Sequence, residues 1–172
     1  SRLLVDYAKA GQHVVRLKSG DAGIFGRLEE ELTALRSAGI KYEIIPGVTS
    51  ASAAAAAVGI PLTRRLVARR VQFITGHDIA GALPEDINMA ALADPQATTV
   101  VYMGKRTWPK LARQLMDAGL PDDTPALLAH AVSTPEQSVE RMSVAALATR
   151  LEATSSTTPA LILFGALAQG DD

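Results

Sequence analysis

The residues best suited to chemistry in this 172-residue chain lie in the stretch RLKSGDAGIFGR, Arg16 to Arg27, with glycines at positions 20, 23 and 26. Glycine removes the Cβ, so a ligand can approach the main chain closely. The stretch lacks the Gly-Lys-Ser/Thr ending of a phosphate-cradling loop and departs from Gly-x-Gly-x-x-Gly, and no acidic residue closes the following strand to hold a ribose. That argues against a pyrophosphate ligand. With no cysteine there is no thiolate nucleophile or thiolate metal site. His13, His77 and His130 are far apart and lack the i, i+4 pairing of a zinc helix, so no metal is expected. A Gly-x-Ser-x-Gly nucleophile elbow is absent. His77, in TGHD, reads as a group that positions a loop, and Asp21 and Asp78 read as turn acceptors.

The elements that must position these residues follow from periodicity. Leu3, Leu4, Tyr7 and Ala8 recur at helical spacing, with Gly11 able to close the helix in a left-handed conformation. HVVRLK then reads as a strand, and Leu28, Leu32 and Leu35 mark one face of a helix that Gly39 ends. YEII reads as a second strand, stopping at Pro46-Gly47; Thr49 or Ser50 then caps an alanine-rich helix ending at Gly59. This strand–helix alternation implies a parallel sheet with crossover connections.

Arg64, Arg65, Arg69 and Arg70 mark residues 63–70 as a linker between a partial N-terminal α/β domain, 1–62, and a C-terminal α/β domain, 71–172. In the latter, VQFITG, TTVVYMG, ALLAHA, SVERMS and ALILFG read as strands, with helices at 107–118 and 143–151. RLKSG, EIIPG, QFITG, VVYMG and LILFG each run an apolar stretch into a glycine. Ligands of open α/β sheets sit at the carboxyl ends of strands, so this recurrence suggests a cleft lined by main chain. The first region offers only two strands, which cannot cover a sheet, so a further segment is expected before Ser1.

A formal charge of −1 with 48% apolar residues suits a compact globule and argues against nucleic acid as the main partner. No apolar run reaches the length of a bilayer span, so no membrane partner is expected.

The order VVRLKSGDAGIFGR, IPGVTSASAAAAAVGIPLTRR, FITGHD, VVYMG, AGLPDDTPALL, STPEQ and PALILFG resembles the tetrapyrrole methylase family over nearly the whole chain. The resemblance implies an α/β fold of two domains, the first incomplete here, with S-adenosylmethionine held in the cleft between them. It implies C-methylation of uroporphyrinogen III to precorrin-2 in sirohaem and cobalamin synthesis. The alternatives are a methyltransferase for a later cobalamin precorrin, or a non-catalytic binding or dimerisation module.

Carried over by position, the resemblance gives Ser19, Gly20, Asp21, Ile24, Thr49, Ser50, Met103, Ala131, Val132, Pro159 and Ala160 as cofactor residues. The acceptor carries eight peripheral carboxylates, for which Arg27, Arg64, Arg65, Lys105 and Arg106 are candidate partners. Ser19 and Ala22 stand where the family has glycine and proline. The catalytic residues are expected in a segment ahead of Ser1, which would leave this chain alone inactive. A cytoplasmic homodimer is expected for the intact enzyme, with no metal.

Overall fold

The computed structural model describes residues 1–153 and 156–170. Internal contacts divide the chain into two compact units, Ser1–Ser50 and Ala51–Asp172.

In the first unit, α1 (Arg2–Lys9) ends before Gly11 at φ +80°, and α2 (Leu28–Ser37) ends before Gly39 at φ +68°. Both glycines adopt the left-handed conformation that closes a helix at little steric cost. Glu29, Glu30 and Glu31 occupy the first turn of α2 and Arg36 its last, each sign favourable to the helix dipole. HVVRLK and YEII, expected as strands of a parallel sheet, join no ladder among the described residues. β-branched residues make a segment extended, but only a paired neighbour makes it a strand, and none of the described residues supplies one. Their apolar side chains therefore face solvent: Leu17 is 80% exposed and Ile45 71%. Leu32 is the one buried apolar side chain of this unit among the described residues.

The second unit is built on five strands, all expected from the sequence: β1 (Arg70–Thr75), β2 (Ala97–Tyr102), β3 (Pro125–His130), β4 (Ser138–Ser143) and β5 (Ala160–Phe164). Their order is β1-β2-β5-β3-β4. Only β1 and β2 run parallel; β5 is antiparallel to both β2 and β3, and β3 and β4 pair as an antiparallel hairpin. The sheet is thus mixed.

Both faces of the sheet are covered, which its alternating apolar residues require. Val101, Leu128, Ile162 and Phe164 pack on one side with Trp108, Leu111 and Leu115 of α5 (Trp108–Asp117) and Leu147 of α6 (Val144–Glu152). Val100, Leu127, Leu161 and Leu163 point the other way, against Ala51, Ala54 and Ala55 of α3 (Ser50–Ala57) and Ala168. The ladders pair Val101 with Ile162 and Ile162 with Leu128, so each layer is continuous across three strands. Alanines let α3 lie close to the sheet. This packing is why contacts divide the chain after Ser50, ahead of the position 62 expected: the alanine helix shares its core with the second sheet. The segment 63–70 is a tight turn closed by an Arg64–Ala68 bridge, and Arg70 already belongs to β1, tied to Asp94 at 2.8 Å. Two short elements were not expected, α4 (Met89–Leu92) and a 3-10 turn at Ala166–Gln169.

Candidate functional site

The first unit places its glycine loop against the loop after YEII. A Cβ on Gly47 would lie 2.1 Å from the carbonyl oxygen of Gly20, so the two main chains touch where only glycine fits. The Asp21 carboxylate joins them, accepting from the amides of Gly47 at 3.0 Å and Gly23 at 2.8 Å. These bonds, Gly47 first, hold the Asp21 carboxyl below the usual carboxylate range, because they favour the ionised form. Thr49 and Ser50 lie beside Gly20: a Cβ there would lie 3.9 Å from Thr49 Cα and 3.8 Å from Ser50 N. Ser19, Gly20, Asp21, Thr49 and Ser50 are therefore brought together, and Ile24 closes the turn through its amide on the Asp21 carbonyl at 3.2 Å. Lys18 anchors the far side of the loop, donating to the Gly26 carbonyl and to Glu31 at 2.8 Å. Lys18 is also the leading reason that the Glu31 carboxyl is held low.

The second unit gathers its own set at one end of the sheet. β1, β2 and β3 finish at that end, and the antiparallel β5 begins there, with Ala160 opposite His130 and Leu161 opposite Tyr102. Met103, Ala131, Val132, Pro159 and Ala160 consequently share this end. Gly76 and Gly104 also meet here: a Cβ on Gly76 would fall 2.2 Å from Gly104 Cα. LILFG breaks the expected recurrence, because an antiparallel strand delivers Gly165 to the opposite end of the sheet, against the Ala97 carbonyl.

Met103 and Ala131 adopt left-handed backbone, at φ +54° and +45°. For residues with a side chain this conformation is costly and gathers at functional positions. Met103 is 44% exposed, an apolar side chain turned to solvent. Ala131 has both main-chain groups engaged: its amide donates to Pro159 O at 3.0 Å, and its carbonyl accepts from the Thr134 amide and hydroxyl. Its methyl group is what it has left to offer a ligand.

The candidate cations are placed differently from one another. Arg27 lies in the first unit, exposed, donating through Nε and a terminal nitrogen to Glu30 at 2.8 and 2.7 Å. Arg65 and Arg106 are exposed and Arg64 is half-buried in the second unit. Lys105 is buried, its ammonium donating to the Thr158 carbonyl at 3.3 Å, where it braces the chain entering β5. Asp78 is the turn acceptor expected, taking the Ala80 and Ala82 amides. No group of three or more His, Cys, Asp or Glu side chains able to hold a metal ion occurs among the described residues. No helix among them is long and apolar enough to cross a membrane.

Fold and loops together define an α/β chain in which pairs of glycines bring main chain against main chain at the loop ends. The chain belongs to the Tetrapyrrole (Corrin/Porphyrin) Methylases, whose family pattern matches residues 1–148. It is 45% identical over 163 residues to the chloroplastic S-adenosyl-L-methionine-dependent uroporphyrinogen III methyltransferase of Arabidopsis thaliana, covering 95% of this chain and 44% of that protein. It is 41% identical to a siroheme synthase of a Psychrobacter strain, covering 100% of this chain and 35% of that protein. The chain thus spans less than half the length of these relatives. A crystal structure of uroporphyrin-III C-methyl transferase from Thermus thermophilus, complexed with S-adenyl homocysteine, superposes with a TM-score of 0.83 at 32% identity, over 98% of this chain and 72% of that one.

Proposed function

We propose that this chain is part of a methyltransferase that uses S-adenosylmethionine to methylate two ring carbons of uroporphyrinogen III, giving precorrin-2. The observation that carries the reading is the pair of glycine contacts, Gly20 with Gly47 and Gly76 with Gly104, each at a loop where cofactor residues are assigned. The assigned residues are Ser19, Gly20, Asp21, Ile24, Thr49 and Ser50 in the first unit and Met103, Ala131, Val132, Pro159 and Ala160 in the second.

These residues fit such a group. Adenosine with an amino-acid tail is satisfied by main-chain donors and acceptors with apolar walls; Ile24 in the first unit and Met103 in the second each offer apolar surface of that kind. Bound there, the donor supplies an electrophilic methyl group for in-line transfer. What this chain contributes is orientation and the exclusion of water, worth several orders of magnitude in rate when reacting atoms are held in line. Arg27, Arg64, Arg65 and Arg106 are assigned to the acceptor's carboxylates, which a guanidinium can grip with two parallel hydrogen bonds. Lys105 serves the site as a brace rather than as a free surface charge.

Calorimetry of the full-length protein with S-adenosylhomocysteine, with NAD and ATP in parallel, tests the reading. Heat with the homocysteine compound alone supports it. Silence with that compound, or equal heat with all three, refutes it.

A further inference from the structure

The function assigned above gives no task to His77, yet the imidazole is half-buried at the sheet end that carries Met103, its Nδ1 3.1 Å from the Met103 carbonyl oxygen. A carbonyl only accepts, so Nδ1 carries the proton and donates. We infer that His77 is a positioning residue that locks the Met103–Gly104 peptide plane and so fixes how the Met103 side chain is presented to a ligand.

The carbonyl needs such a lock. Met103 sits at φ +54°, where a side chain is disfavoured, and extended alternatives lie lower in energy for an unconstrained residue. A plane held only by Met103 itself could turn over. Gly104 is closely packed here: a Cβ on it would lie 2.5 Å from a methyl carbon of Val101.

His77 donates from a fixed platform. The Gly76 amide donates to the Tyr102 carbonyl at 2.6 Å, and the Thr107 hydroxyl donates to the Gly76 carbonyl. Thr75 Oγ1 donates to the carbonyl of His77 itself at 3.0 Å. Every peptide that flanks the imidazole is therefore anchored, and the one free choice in the loop is the plane that the imidazole engages. The inference rests on the assignment of Met103 to the cofactor.

Three variants test it. An Asn side-chain amide can place nitrogen where Nδ1 stands, whereas that of Gln reaches the position of Nε2. His77→Ala and His77→Gln should raise amide exchange across residues 102–108 about tenfold, the loss of one hydrogen bond, while His77→Asn stays near wild type. S-adenosylhomocysteine should bind about tenfold more weakly to the Ala and Gln variants and recover with Asn. Unfolding followed by Trp108 fluorescence checks that each variant is folded. The inference is overturned if His77→Ala exchanges and binds as wild type does, if exchange rises but binding does not fall, or if Asn and Gln behave alike. A wild-type chain silent to S-adenosylhomocysteine refutes the proposed function instead, and the exchange comparison then decides the lock alone.

Discussion

Replacing Gly76 with alanine should damage the second unit through one identifiable clash. The new Cβ would sit 2.2 Å from Gly104 Cα and 2.9 Å from Gly104 N, where ordinary contact begins at 3.4 Å. The loops must part by about 1.2 Å to restore that contact. Gly76 is outside the left-handed region, so the cost is steric and not conformational. Overpacking costs about 1–3 kcal/mol, and backbone against backbone belongs at the top of that range. For a chain of this size about 3 kcal/mol lowers the melting temperature by roughly 6–12 °C. The sole tryptophan, Trp108, is fully buried beside Thr107, which holds the Gly76 carbonyl, so thermal melting followed by its fluorescence reads this unit directly. Gly119→Ala is the control: its φ is +101° and nothing lies within 4 Å of a Cβ there, leaving only a conformational cost of about 1 kcal/mol, or roughly 2–4 °C. If Gly76→Ala melts at or above the temperature of Gly119→Ala, the close approach does not matter as argued.

Two further outcomes are expected. Leu147→Ala removes a fully buried side chain of α6 from the core it shares with α5 and β5, and should cost about 2–5 kcal/mol in chemical unfolding; a loss below about 1 kcal/mol would show that the site collapses to fill the space. For Asp21, a folded pKa below the unfolded value means that its tie between the two loops is fully present above the ordinary carboxylate pKa, near about 4, and disappears as pH falls through the lowered folded value. The Gly23 and Gly47 amide resonances should follow that titration in wild type and stay flat in Asp21→Asn; a midpoint at or above the ordinary value would refute the assignment.

The strands of the second unit were legible because each is a short apolar run stopped by glycine or a polar turn, a local signal. Their directions were not. Nothing in ALILFG distinguishes a parallel from an antiparallel strand, and the choice is made by the partners it meets, so Gly165 went to the far end of the sheet while Pro159 and Ala160 joined Met103. HVVRLK and YEII show the converse limit: their residues favour extended backbone, but pairing is a property of neighbours. The closing glycines at 11, 39 and 59 were readable, since positive φ is cheap only for them. The same conformation at Met103 and Ala131 was hidden, because tertiary hydrogen bonds impose it against local preference. The burial of Lys105, a candidate carboxylate partner in the sequence, was hidden too, since its ammonium meets Thr158, fifty-three positions away.

The latest strand in sequence lies at the centre of the sheet, and this has a consequence for synthesis. Without β5 the sheet falls into two separate pairs, β1 with β2 and β3 with β4. As the polypeptide leaves the ribosome, both pairs must wait, each presenting an open hydrogen-bonding edge and a bare apolar face, until residues 160–164 emerge to zip them together. That interval is when association with other nascent chains competes most strongly with folding. A chain that stopped just upstream of Ala160 would remain permanently in that waiting state.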